Sequence, residues 1–144
     1  MLFDAKVQQF FGVRMMTGRA LGAVAFEAVQ STPFGGMGIR IHNNCLAELV
    51  FLDATSASPA AIAERPRGVA REVCRQIKAF VSDPDFRFDL PMLSAGTNFQ
   101  RRVWQAIAAI PRGQTRRYGE IALELGSAPR AVGQACGANP FPLI

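Results

Sequence analysis

The apolar residues of this 144-residue chain change their period along the sequence, and Ser94-Ala95-Gly96 looks like a domain boundary. Over Ala23–Leu52 they alternate with period two, the repeat of a strand that buries one face. Downstream they recur three and four residues apart in short runs closed by Pro and Gly, the repeat of amphipathic helices. No single sheet and no single helical bundle accommodates both patterns. The length suits one domain or two small ones, and the switch predicts two: an α/β N-terminal domain over 1–95 and a mainly α domain over 96–144.

Strands are expected at Ala23–Gln30, Met37–His42 and Cys45–Leu52, forming a small three-stranded antiparallel sheet. Thr32-Pro33-Phe34-Gly35-Gly36 supplies the first turn. Asn43-Asn44 supplies the second, because Asn tolerates the left-handed backbone of a tight hairpin. Leu46, Leu49, Val50 and Leu52 are the expected core. Asp53–Gly68 reads as a connector rich in Ala, Ser and Pro, with a helical turn near Ala60–Glu64. Val69, Val73, Ile77 and Phe80 or Val81 predict a helix over Val69–Ser82, which Ser82-Asp83-Pro84 ends because Pro cannot continue the hydrogen-bond ladder. Phe86–Leu93 is expected to be short and extended. Residues 1–21 have no steady period and are compatible with a helix, a loose arm or vector-derived sequence.

In the second half, Thr97 and Gln100 have the spacing of a capping box, in which each side chain satisfies a free donor at the helix start. Phe99, Val103, Trp104, Ile107 and Ile110 define one face of the helix that follows, so Trp104 is expected in the core. Pro111-Arg112-Gly113 closes it. A second helix is expected over Tyr118–Leu125, stopped by Gly126. After Ser127-Ala128, Pro129 occupies a first helical position, and a third helix runs to Cys136 or Gly137. Two helices joined by a short Gly-containing turn make a helix-turn-helix. The third helix carries Ala131, Val132, Gly133, Ala135, Cys136, Gly137 and Ala138. Two glycines cost it roughly 1 kcal/mol each relative to Ala, so something must approach its backbone. A nucleic-acid groove and a neighbouring helix both satisfy that requirement.

Charge separates the halves further. Residues 1–97 carry ten Lys/Arg against nine Asp/Glu, whereas residues 98–144 carry six Arg against Glu120 and Glu124. Arginine suits fork-like contacts to phosphate, and its concentration on a helix-turn-helix points toward nucleic acid. With 49% hydrophobic residues a folded core is expected. No apolar run approaches the roughly 18 residues of a membrane helix, so no membrane partner is expected. Nor does the N-terminus show an export pattern. Cys45, Cys74 and Cys136 are odd in number and form no CxxC pair; with the single His42 they make no zinc site, so no metal is expected. A reducing, cytoplasmic compartment fits them.

The segments GTNFQRRVW, IPRGQTRRYGEIA and RAVGQACGANP, in that order, resemble the C-terminal domain of the O-6-alkylguanine-DNA alkyltransferases, also called methylated-DNA–protein-cysteine methyltransferases. The similarity is strong from Gly96 and weaker back to Ala23. It implies an RNase H-like N-terminal module and transfer of an alkyl group from guanine O-6 to a protein cysteine, with no dissociable cofactor. It also implies double-stranded DNA as partner, bound through the minor groove by a monomer. Arg130 matches the arginine that takes the extruded base's place in the stack, and Tyr118 the tyrosine that crowds the phosphate of that nucleotide. Ala131, Gly133 and Gln134 share the DNA-facing helix. Asn139 matches an asparagine that ties the helix-turn-helix to the active-site loop; an ordinary Asn-Pro turn fits the same position. Without the surrounding motif, Arg130 would be an exposed helix-start arginine and Tyr118 a half-buried helix residue. The turn between Gly126 and Arg130 is short compared with some relatives.

In the family an Asn-Pro bend and an apolar segment lead into a Pro-Cys-His-Arg motif whose cysteine accepts the alkyl group. Asn139-Pro140 and Phe141–Ile144 match the lead-in, which places the acceptor beyond Ile144. The mainly α helix-turn-helix domain is accordingly expected to be incomplete at its C-terminus, to have no catalytic residue in this chain, and at most to bind DNA. The missing part is expected to uncover some of the Val103–Ile110 face and to favour aggregation. Cys136 lies within the third helix, away from the nucleophile position, and is expected to be a buried or half-buried thiol. Two alternatives are a non-enzymatic helix-turn-helix regulator and an alkyltransferase-like lesion sensor. The regulator would read the major groove, where readers display Arg, Asn or Gln; here only Arg130 and Gln134 are available. A sensor would still need the pocket loop.

Overall fold

The structure is a computed structural model that describes residues 26–52, 65–111 and 113–144. The expected start of the first strand at Ala23, the helical turn near Ala60–Glu64, residues 1–21 and Arg112 lie outside the described residues. The described residues fall into two compact units, one running up to Ser94 and including Leu143, the other comprising Ala95–Pro142 and Ile144.

The first unit is built on a three-stranded antiparallel sheet in chain order, β1 (Ala28–Thr32), β2 (Gly35–His42) and β3 (Cys45–Leu52). The first strand therefore reaches two residues further than its period suggested, and the first turn is only Pro33-Phe34. Thr32 explains the difference: its hydroxyl donates to the Gly35 carbonyl at 2.7 Å across the turn. Gly35, at φ 118°, provides a backbone that L side chains rarely adopt. The second turn is Asn43-Asn44, with φ of 49° and 59°. Both residues are left-handed, as the twist of a two-residue hairpin requires.

A bulge between Arg40 and Ile41 shifts the register against β3. Leu46, Leu49, Val50 and Leu52 are all buried, together with Met37 and Ile39. Val50 and Leu52 form one cluster with Phe26 and Val29. Helix α1 (Gly68–Ser82) packs on the strands, and its Val73 and Ile77 are fully buried. Beyond it, the extended segment joins the sheet: Leu46 N–H donates to Pro91 O at 2.7 Å, and Leu93 N–H to Leu46 O at 2.8 Å. That parallel bridge at Met92 was not visible in the sequence, because a single bridge has no period.

One buried polar side chain fixes the segment's approach. Gln76 Oε1 accepts from Asp89 N–H at 2.8 Å, and Gln76 Nε2 donates to Asp89 O at 2.7 Å. Its amide also reaches Glu72 Oε1 at 2.8 Å. A side chain only 3% exposed thus replaces a rung of backbone pairing.

The second unit contains α2 (Asn98–Ala108), α3 (Tyr118–Leu125) and α4 (Pro129–Gly137). No helix among the described residues is long and apolar enough to cross a membrane. Replacing Gln76 by Leu strands the Asp89 N–H and C=O without their partner. The expected cost is about 1–3 kcal/mol, the usual penalty for unpaired buried polar groups, read as a lower denaturation midpoint in urea. An unchanged midpoint would show that water takes over both bonds.

Candidate nucleic-acid interface

Helix α2 begins as its sequence requires. Gln100 N–H donates to Thr97 Oγ1 at 3.2 Å and Thr97 N–H to Gln100 Oε1 at 2.8 Å, completing the capping box. The helix closes at Ala109, before Pro111. Helix α3 starts with Glu120 accepting from Arg117 N–H at 2.6 Å. It ends at Gly126, φ 62°, where Ser127 N–H reaches Ala122 O at 2.8 Å and Gly126 N–H reaches Leu123 O at 3.3 Å. This pair of bonds is a Schellman motif, and it turns the chain within three residues into Pro129 at the head of α4.

The core of this unit is made of Val103, Ala106, Ile121, Ala122, Val132 and Ala135, with Trp104, Ile107, Leu125 and Cys136 packed around it. Three alanines at the crossings let the helices come close. Val103 and Ile110 are buried, whereas Trp104 and Ile107 between them are half-buried. Trp104 packs against the core as expected and also places its polar atom there: Nε1–H donates to Ala135 O on α4 at 2.7 Å. That carbonyl lies in the last turn of α4, where it also accepts from Ala138 N–H at 3.2 Å. Gly96, at φ 76°, lies under the same ring, and a Cβ there would meet Trp104 Cη2 at 2.4 Å. Sequence reading missed both contacts.

The small residues of α4 divide between two duties. Val132 and Ala135 face the core. Arg130 and Gln134, one turn apart, are exposed, with Ala131, Gly133 and Gly137 half-buried around them. Gly133 also adjoins Tyr118, since a Cβ on it would meet the tyrosine ring at 3.3 Å. Tyr118 is 41% exposed. Burial raises the Tyr118 phenol above its ordinary pKa, and the adjacent Cys136 adds to that. Burial likewise pushes the Cys136 thiol up, so it is protonated at neutral pH. A nucleophilic cysteine needs the opposite shift. The described structure thus brings Tyr118, Ala131, Gly133 and Gln134 onto one surface around Arg130.

The arginines are not equivalent. Arg116 pairs with Glu124 at 2.7 Å, and Arg101 is held by Gly96 O and Asn98 Oδ1. Arg102, Arg117 and Arg130 are exposed, and none of the three has an ion pair with a described residue. Asn139 forms a local turn, its Oδ1 accepting from Phe141 N–H at 2.9 Å. Among the described residues no group of three or more His, Cys, Asp or Glu could hold a metal ion.

Residues 98–144, which hold all of α2, α3 and α4, match the family model for the DNA binding domain of 6-O-methylguanine DNA methyltransferase. A methylated-DNA–protein-cysteine methyltransferase of Mycobacterium leprae is 37% identical over 116 residues, covering 78% of this chain and 70% of the relative. The chain belongs to the methylated-DNA–protein-cysteine methyltransferase family. The corresponding protein of Mycolicibacterium paratuberculosis is 37% identical over 124 residues, covering 84% of this chain and 74% of its own length. Among solved structures, Mycobacterium tuberculosis O6-methylguanine methyltransferase superposes with a TM-score of 0.61 at 31% identity, over 81% of this chain and 72% of that one. Mycobacterium tuberculosis OGT in complex with DNA gives 0.60 at 36% identity, over 78% and 70%. In this methyltransferase-family chain, as in those structures, a small antiparallel sheet precedes a helical part.

The Trp104 bond is expected to hold the helix-turn-helix together. Trp104→Phe keeps most of the ring and removes the indole bond to Ala135 O, which retains the Ala138 N–H donor at 3.2 Å, so the expected cost is that of one net hydrogen bond, about 0.5–1.5 kcal/mol. Thermal melts followed by circular dichroism would measure it. Wild-type stability would mean that the indole N–H contributes nothing net.

Proposed function

We propose that this protein acts in DNA repair, and that its C-terminal unit binds double-stranded DNA through the minor groove with α4 as the inserted helix. The observation that carries this reading is the outer face of α4. There Arg130 and Gln134 are exposed among residues with little or no side chain, so a sugar-phosphate wall can approach the backbone. A major-groove reader needs more base-edge donors and acceptors than two.

Chemistry on a base inside a duplex requires its extrusion. Arg130, at the second position of α4, is long enough to enter the gap and carries donors for the bases around it. Tyr118 crowds the phosphate of the extruded nucleotide from beside Gly133. Arg102 and Arg117, exposed and without ion pairs among the described residues, supply phosphate contacts. Gln134 lies one turn behind Arg130, along the groove, and Asn139 is the hinge where α4 passes into the following segment. The protein works as a monomer in the cytoplasm, a compartment suited to three free cysteines.

The family reaction breaks the bond between guanine O-6 and the alkyl carbon as a cysteine sulfur forms its own bond to that carbon; guanine regains a proton. No Pro-Cys-His-Arg motif occurs in residues 1–144. We assign the acceptor role to none of the three cysteines present. Cys74 is buried in α1, and burial pushes the Cys136 thiol up, away from the thiolate a nucleophile needs.

Binding to plain and alkylated duplex at several salt concentrations separates the arginine roles. Arg117→Ala should flatten the salt dependence by about one phosphate contact, a change in log–log slope of roughly 0.9. Arg130→Ala should weaken binding at least about fivefold, the lower end for loss of a stacked contact, with the slope little altered. Intact mass after incubation with alkylated duplex should show no alkyl group on residues 1–144. A slope change for Arg130→Ala equal to that for Arg117→Ala would reduce Arg130 to an ordinary phosphate cation. An adduct on Cys136 would overturn the acceptor assignment.

A further inference from the structure

We infer that the outer side of α1 is a second nucleic-acid surface, a row of cations that holds the sugar-phosphate backbone of duplex DNA without reading its sequence. It belongs to the first unit, outside the helix-turn-helix, and does not depend on α4 entering a groove. Five of the ten Lys/Arg in residues 1–97 fall within residues 65–82: Arg65, Arg67, Arg71, Arg75 and Lys78, against Glu72 alone. Five cations against one anion is a net +4 in 18 residues, equal to that of all residues 98–144. All five are exposed. From Arg67 through Arg71 and Arg75 to Lys78 the steps are four, four and three residues, so the four share one stripe along the helix. Val73 and Ile77, on the side packed against the sheet, are fully buried. Glu72 is already engaged, by Arg75 at 2.6 Å and by the Gln76 amide at 2.8 Å. Arg65, Arg67, Arg71 and Lys78 have no ion pair with a described residue.

Stability of the helix alone does not call for this arrangement. The positive end of a helix dipole favours acids in the first turn. None stands there in α1, and its start has no side-chain cap; Arg65 and Arg67 precede it instead. Like charges four residues apart also repel. A polyanion laid along the stripe relieves both costs. Arg67 to Lys78 spans about 16 Å at 1.5 Å per residue, the axial length of about five phosphates of one strand. At the head of the stripe Arg65, Arg67 and Gly68 line an open cavity of about 700 Å³, together with Glu27, Ile41 and Asn44. Its one carboxylate is occupied, since Glu27 accepts from Ile41 N–H at 3.0 Å. A phosphate entering the cavity meets two guanidinium groups, whose forked donors match its oxygens. A lipid surface fits less well. A membrane-lying helix buries large apolar side chains in the interface, and among those of α1 only Val81 is exposed.

The test measures binding of the full chain to a plain duplex across salt concentrations. It compares the parent with R67Q/R71Q/K78Q and with the single variant R71Q, each checked for folding by circular dichroism. The triple variant should flatten the log–log salt slope by about 2.7 and R71Q by about 0.9, at roughly 0.9 per phosphate contact. The affinity gap between parent and triple variant should then widen about fortyfold as salt falls from about 200 to about 50 mM. Contact itself is read by acetylation. The chain has two lysines, Lys6 and Lys78, which peptide mass mapping separates, and bound duplex should slow modification of Lys78. A slope unchanged in both variants, or Lys78 equally reactive with and without bound duplex, would overturn the α1 surface and leave α4 as the inserted helix. Protection of Lys78 by vesicles of phosphatidylserine and phosphatidylcholine, with duplex giving none, would assign the stripe to a lipid surface and overturn it as well. A full chain that binds no duplex at all would overturn both readings.

Discussion

The bond from Trp104 Nε1–H to the carbonyl of Ala135 is the contact on which the C-terminal unit turns. It joins α2 to the last turn of α4. Helix α4 is nine residues long and includes two glycines, a length and composition marginal for a helix alone. Its apolar contribution to the core is essentially Val132 and Ala135. A helix so poor in side chains cannot be placed by burial alone. The indole does the placing, and Gly96 is the condition for it, since any Cβ there would occupy the space of the ring.

From that anchor the outer surface follows. Because α4 is held from below by a hydrogen bond and three crossing alanines, its outer face is free to stay small. Gly133 serves the Tyr118 ring directly, which answers the choice between a groove and a neighbouring side chain: at this position the neighbour is already present. Ala131, Gly137 and the exposed Arg130 and Gln134 remain for a partner. The same division explains the electrostatics. Arg101 and Arg116 are engaged in structural bonds, which leaves Arg102 and Arg117 beside Arg130 as the exposed cations of this unit without ion pairs among the described residues.

Much of this was legible in the sequence because it depends on local rules. The Thr97–Gln100 capping box, the Asn43-Asn44 turn, the Gly126 stop and Pro129 at the head of α4 each follow from one residue's backbone preference or one side chain's reach. The third strand, Cys45–Leu52, was bounded by the hairpin turn before it. Less legible was whatever depends on residues distant in sequence. Gln76 bonding to Asp89, the parallel bridge of Met92 with Leu46, and Trp104 reaching Ala135 have no period and no motif. The first strand slid by a few residues because a Thr32 hydroxyl, rather than hydrophobic alternation, set the turn. At the candidate site the sequence named Tyr118, Arg130, Ala131, Gly133 and Gln134 through resemblance. It did not disclose that the Tyr118 ring lies against Gly133, since a glycine in a helix carries no signature of the side chain that occupies its space.

Entry of α4 into the minor groove is tested most directly by footprinting one alkylated duplex with two reagents. Hydroxyl radical attacks sugars along the minor-groove edges, and dimethyl sulfate methylates guanine N7 in the major groove. Minor-groove entry predicts hydroxyl-radical protection flanking the lesion with guanine N7 left fully reactive. Protection of guanine N7 across the bound site, with the sugars open to cleavage, would contradict it.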